Sequence, residues 1–161
     1  MFDTALVMEP AAMQYSIQSR NWAGSGLDRI FDRVPRGHGW ATYAYNTLTL
    51  ASHFQPIFNV EKKTCTGYEA LLTASNLTGQ NLRPDTVFSL AADHHEAMYM
   101  DWLCRALHLR NYVNLEDADR ALFLNVFPAV AADDTHHPEM LEKMFDFYHA
   151  ERSQVDRKSV V

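Results

Sequence analysis

Cys65-Thr66-Gly67-Tyr68-Glu69-Ala70-Leu71-Leu72 is the stretch on which the fold turns. With Thr64 before it, the stretch reads as a β-strand. It follows a second alternating run, Ser52-His53-Phe54-Gln55-Pro56-Ile57-Phe58, across the charged turn Asn59 to Lys63. Two such runs around a short polar turn predict a hairpin. The pattern also puts a carboxylate, Glu69, near the C-terminal end of a buried strand. An acid in that setting loses several kcal/mol of hydration unless something binds it, so Glu69 is the first residue to be examined for chemistry.

Outward from the hairpin, Thr47-Leu48-Thr49-Leu50 alternates like a strand. Ser75 to Gln80 is a polar loop, and Pro84 with Asp85 marks a helix start. Val87 to Val113 reads as helix, broken near Asp93, with Ala92, Tyr99, Leu103, Ala106, Leu107 and Arg110 recurring at three- and four-residue steps. Ala121-Leu122-Phe123-Leu124-Asn125-Val126 is a nearly continuous apolar run, as in a parallel strand covered on both faces. Pro138 opens another helix, Glu139 to Glu151, and Lys158-Ser159-Val160-Val161 has the look of a further strand as it begins. Residues 1–46 read as a leader: Leu27 to Val34 makes a short helix between the Gly24/Gly26 and Gly37/Gly39 loops. Neither glycine pair sits between a strand and a helix start, as a phosphate cradle requires. From residue 47 onward the rhythm is that of a β/α barrel, which usually takes about 250 residues. This chain of 161 is too short to close one.

Composition narrows the class. Hydrophobic residues make up 47% and charged residues 21%, the profile of a globular protein with a packed core. A net charge of −6 argues against binding a nucleic-acid polymer, which calls for a basic face. Two cysteines, Cys65 and Cys104, are too few for a disulfide framework and suit a reducing compartment. No run approaches the roughly 20 apolar residues that cross a bilayer, and Met1 to Met13 has no Lys or Arg to begin a secretory signal. The expectation is a cytoplasmic protein without a membrane partner.

Glu69 and Asn125 stand near the C-terminal ends of their strands, the end at which a barrel presents its ligand site. A carboxylate and an amide oxygen are hard donors suited to Mg²⁺ or Mn²⁺. Asn125 has a second reading, as a strand-end residue that hydrogen-bonds a turn. His94-His95-Glu96 and His136-His137 near Asp133-Asp134 are weaker candidates, because neighbouring histidines on a helix point about 100° apart and read as surface or capping residues. Tyr99 and Trp102 read as core. There is no Gly-x-Ser-x-Gly or activated cysteine arrangement to mark a nucleophile, and no catalytic residue is assigned.

Three motifs in order resemble one family. Ser52 to Phe58, with Gln55-Pro56-Ile57, is similar to the opening strand of the EAL domains, the cyclic diguanylate phosphodiesterases and their degenerate relatives in bacteria. Gly67-Tyr68-Glu69-Ala70-Leu71-Leu72 resembles their signature strand, and Leu124-Asn125-Val126-Phe127-Pro128 their Asn-Val-x-Pro element. The resemblance covers about residues 50–161 and implies the N-terminal part of an EAL domain at 47–161, a TIM-like (β/α) barrel incomplete in this chain with its first strand antiparallel to the rest. It implies Glu69 and Asn125 as metal ligands, Gln55 and Leu71 as residues that seat the nucleotide, and Mg²⁺ or Mn²⁺ as cofactor. The reaction so implied opens cyclic diguanylate to the linear dinucleotide by two-metal chemistry. Implied partners are cyclic diguanylate, a second copy of the chain, or other signalling domains.

Two departures qualify this. Thr73 stands where the family has an arginine that looks like a phosphate contact. The family's later acidic, lysine and glutamine elements have no counterpart before Val161, and the chain stops where the first of them should begin. The expectation is therefore a catalytically silent chain. The alternatives are a degenerate binding or protein-interaction module, or a fragment of a longer multidomain protein.

Overall fold

Two short turns with left-handed residues set the strand directions. Asn46, at φ 52°, turns the chain between β1 (Tyr43–Tyr45) and β2 (Leu48–Asn59), a conformation that asparagine tolerates better than most residues. At the other end of β2, Asn59 Oδ1 accepts from the Lys62 amide at 2.9 Å, and Lys63 at φ 51° closes the turn into β3 (Thr64–Asn76). Both turns reverse the chain, so β1, β2 and β3 run antiparallel. The β2–β3 register extends from Leu48↔Asn76 to Asn59↔Thr64 with a bulge at Ile57/Phe58. Beyond Leu50, β1 no longer covers β2, so among the described residues Pro56 lies where β2 is an edge, a position that tolerates its missing N–H.

The computed structural model describes residues 29–116, 118–131 and 137–159. After β3 the two-residue strand β4 (Asn81–Leu82) folds back antiparallel on Ala74 and Ser75. The helices α2 (Pro84–Ser89) and α3 (His94–Tyr112) then lead to β5 (Ala121–Val126), which lies parallel to β3 over Gly67↔Ala121 to Ala70↔Leu124. Next, α4 (Pro128–Ala131) and α5 (His137–Tyr148) lead to β6 (Val155–Ser159), parallel to β5. A four-residue helix, α1 (Ile30–Arg33), precedes the sheet. The strand order β1-β2-β3-β5-β6, with β4 beside β3, describes an open half-barrel.

This corrects the expected (β/α) barrel. Three of the strand pairings, including the longest, are antiparallel, and β1 to β4 follow one another with no helix between them. The physical reason is the hairpin: two long strands joined by a four-residue turn must pair antiparallel, and they make up most of the sheet.

Other expectations concern single elements. The break near Asp93 is real: Asp93 Oδ1 accepts from the Glu96 amide at 2.8 Å and caps α3. Ala92 is exposed ahead of that cap instead of inside the helix. The turn of helix expected over 27–34 appears as α1, whose Ile30 enters the core together with Val34, Tyr43 and Tyr45. The expected C-terminal strand is β6, while Val160, Val161 and residues 1–28 lie outside the described residues.

The core is centred on α3. From Tyr99 to Tyr112 every residue of this helix is buried, because the sheet face of Leu48, Leu50, Ala70, Ala74, Leu122 and Leu124 covers one side and α1, α4 and α5 cover others. A helix buried all round carries no amphipathic stripe, so its polar residues need internal partners. Asp101 and Arg105, four residues apart and each 3% exposed, form an ion pair, and Arg105 also lies over the Trp102 ring at 4.3 Å.

Candidate functional site

The sheet has two faces, one packed on α3 and one open. Alternation along β2 and β3 sends Ser52, Ala70 and Ala74 into the core and leaves Gln55, Glu69, Leu71 and Thr73 on the open side. Gln55 is the register partner of Glu69, and His53 that of Leu71. Across the parallel pairing, Glu69 is level with Phe123, and Asn125 follows two residues later on the same face. The fold therefore gathers the four residues named from sequence, Gln55, Glu69, Leu71 and Asn125, on one surface.

Glu69 and Asn125 meet directly. Asn125 Nδ2 donates to Glu69 Oε1 at 3.0 Å and to the Ala70 carbonyl at 3.3 Å. Both residues are half-buried. Ala70 lies inside β3, so the second bond is a contact between strands and not the bond to a turn of the alternative reading. Glu69 is not at the end of its strand, since β3 continues to Asn76 against β2, but it stands one residue before the β3–β5 ladder ends at Ala70↔Leu124.

The arrangement can present a carboxylate and an amide to one ligand. As oriented, the amide N–H faces the carboxylate, and a half-turn of the amide would bring its oxygen there. The pair would then offer two oxygens of the six that Mg²⁺ favours. That fits one hydrated ion held at two points and does not fit a two-ion cage, so no reaction step is derived through metal. Among the described residues, no group of three or more His, Cys, Asp or Glu converges. His94 and His95 are exposed in the first turn of α3 with ring centroids 6.3 Å apart. Asp133, Asp134 and His136 lie outside the described residues. Thr73 donates its hydroxyl to the Ala51 carbonyl at 3.2 Å, a strand contact and no substitute for a guanidinium.

Two polar groups matter that sequence reading passed over. Asp101 reaches from α3 to accept the Phe127 amide at 2.9 Å, anchoring the segment that leaves β5 two residues after Asn125. Its spacing from Arg105, Asp-x-x-x-Arg inside an apolar helix, was the available signal. Beneath the sheet, His108 Nδ1 lies 2.8 Å from Ser52 Oγ, and Asn111 Nδ2 donates to the same oxygen at 3.1 Å and to the Ala41 carbonyl at 2.8 Å. A serine beside a histidine resembles a nucleophile with its base. Burial, however, pushes the His108 pKa down to about 4, and Ser52 is 6% exposed, so neither is open to substrate. The network ties the segment before β1 to α3, which Asn111 Oδ1 completes by accepting the Ala41 amide at 2.8 Å.

Comparison with known proteins places the fold. The chain is similar to part of Klebsiella pneumoniae BlrP1. With that protein's complex with FMN and cyclic diGMP, without metal ions, the TM-score is 0.51 at 22% identity, covering 67% of this chain and 28% of that one. With its calcium/cyclic diGMP complex at pH 8.0 the TM-score is 0.53 at 21% identity, covering 83% and 33%. The chain thus spans about a third of the length of BlrP1. At these identities the likeness is one of fold. No protein-family model matches the sequence, and no curated protein does. No helix among the described residues is long and apolar enough to cross a membrane.

Proposed function

We propose that this chain is an EAL-type component of bacterial cyclic diguanylate signalling, that its open face is a remnant of the dinucleotide site, and that the 161 residues alone do not hydrolyse the ligand. The observation that carries this reading is the 3.0 Å contact between Glu69 and Asn125, from two strands far apart in sequence, with Gln55 in register beside them. The fold shared with part of BlrP1, a protein solved with cyclic diGMP, supports it. Mg²⁺ or Mn²⁺ would be held by Glu69 and Asn125, and Gln55 and Leu71 would seat the nucleotide. Two protein oxygens do not hold a pair of ions against water, so turnover is not expected.

Calorimetry of the purified chain with cyclic diguanylate, with and without Mn²⁺, tests the reading. It predicts saturable heat that Glu69→Gln and Asn125→Ala reduce, and no linear dinucleotide on chromatography. Rapid metal-dependent turnover would refute the inactive assignment, and no heat under either condition would refute the ligand.

The second reading is a degenerate interaction module of the cytoplasm, acting as a homodimer or beside other signalling domains. Its support is the outer edge of β6, unpaired among the described residues, together with Phe58 and Val60, which are 60% and 87% exposed at the hairpin end. Sedimentation of the chain at rising concentration tests this, and a monomer throughout would remove the homodimer.

A further inference from the structure

His53 stands on the open face beside the Gln55–Glu69 pair, one row further toward the end where Asn125 lies, and opposite Leu71. The backbone on either side of it is fastened beneath the sheet. Ser52 Oγ lies 2.8 Å from His108 Nδ1 and accepts from Asn111 Nδ2 at 3.1 Å. Phe54 packs edge-on against Trp40 with ring centroids 5.5 Å apart, and it meets the rings of His108 and Tyr112 at 6.5 and 6.3 Å. With both neighbours held on the α3 side, strand alternation sends the imidazole of His53 to the open side, where it is exposed. A donor mounted on backbone pinned at both flanks has less freedom to lose on meeting a ligand.

Position decides which part of a ligand this imidazole meets. Leu71 and Asn125 are the residues that follow the Ala70↔Leu124 pair, so His53, Leu71 and Asn125 occupy one row across β2, β3 and β5. Neighbouring strands lie about 4.8 Å apart, which sets the His53 and Asn125 backbones about 10 Å from each other. The row therefore offers two separate binding points, the Glu69–Asn125 pair on one flank and the imidazole on the other. A cyclic dinucleotide carries two phosphodiester groups, each negatively charged. An ion held by Glu69 and Asn125 engages one of them, and the other needs a partner of its own. Imidazole presents an N–H donor whether neutral or protonated, and a hydrogen bond to an ionised acceptor is among the stronger ones. We infer that His53 donates to the second phosphodiester and so makes the open face select a ligand with two such groups over a mononucleotide with one. The assignment rests on the reading of that face as a dinucleotide site.

The test is calorimetry of the whole chain in Mn²⁺ with cyclic diguanylate and with cyclic GMP, which has a single phosphodiester. His53→Ala should weaken cyclic diguanylate about tenfold or more, the worth of one hydrogen bond to a charged acceptor, and should leave the affinities for cyclic GMP and for Mn²⁺ alone unchanged. The His53 side chain is exposed, and circular dichroism checks that the variant folds. In ¹⁵N–¹H NMR the His53 imidazole signals should move on addition of cyclic diguanylate. Wild-type affinity for cyclic diguanylate in the variant would overturn the assignment while leaving the dinucleotide site standing, and so would an equal loss for both nucleotides. No binding of cyclic diguanylate by the wild-type chain would overturn the site and the assignment together.

Discussion

Gly67 holds β3 and β5 at their closest approach, and replacing it by alanine tests the parallel half of the sheet. It pairs with Ala121, and an added Cβ would sit 2.5 Å from the Ala121 carbonyl oxygen and 3.0 Å from its Cβ. Neither obstacle can rotate aside, because one is backbone and the other is fixed to it. The strands must separate, and overpacking of this kind costs about 1–3 kcal/mol. The parallel ladder is anchored only from Gly67 to Ala70, with Glu69 inside it, so separation would also stretch the Glu69–Asn125 contact. A loss of about 2 kcal/mol corresponds to a fall of about 4–8 °C in Tm for a chain of this size. Urea and thermal denaturation followed by circular dichroism would measure it. Adding Ala121→Gly should restore only part of the loss, since it removes the farther obstacle and leaves the carbonyl. Stability of Gly67→Ala within about 0.5 kcal/mol of wild type, the scatter of a neutral surface change, would refute the close β3–β5 approach.

Further outcomes follow from buried polar groups. Asp101→Ala strands Arg105 in the core and should cost about 3–5 kcal/mol by urea denaturation, with Asp101→Leu/Arg105→Met distinctly less damaging. For His108, folding lowers the pKa from 6.5 to about 4, so the unfolded chain takes up the proton first. The contribution of His108 to stability is complete above pH 6.5 and declines by about 3 kcal/mol as pH falls to about 4, and His108→Gln should flatten that slope in pH-dependent denaturation. Burial pushes the Cys104 thiol well above its ordinary pKa, while Cys65 is half-buried near the surface, so a thiol reagent should titrate one cysteine in the native chain and two after unfolding. Asn111→Ala removes the clasp on Ala41 and should cost about 1–3 kcal/mol by thermal denaturation.

The local features were legible in the sequence and the long-range ones were not. Asn59 to Lys63 announces its turn through polar residues that are neighbours in the chain, and β2 ends at Asn59 while β3 begins at Thr64. Asp93 declares a helix start in the same way. The meeting of Glu69 and Asn125 was readable because alternation assigns each to a face and strand order brings the faces together. The β/α barrel arrangement was misjudged because periodicity reveals strands without revealing which partner each will take or in which direction. The two-residue β4 is too short to leave a pattern. The burial of α3 from Tyr99 to Tyr112 was hidden by its own composition: Asp101, His108, Arg110 and Asn111 look like a wet face until Phe127, Ser52, Gly39 and Ala41 arrive from elsewhere in the chain to bond them.

A helix without a solvent side has nowhere to hide a substitution. Drift that a surface helix absorbs at half its positions must here be answered by the strand, helix or loop it touches. Among descendants of this sequence, α3 should change in concert with β2, β5 and α5, which pack against it. In the living molecule the same geometry makes Tyr99 to Tyr112 the last stretch to open, and its amide protons should outlast all others in deuterated water.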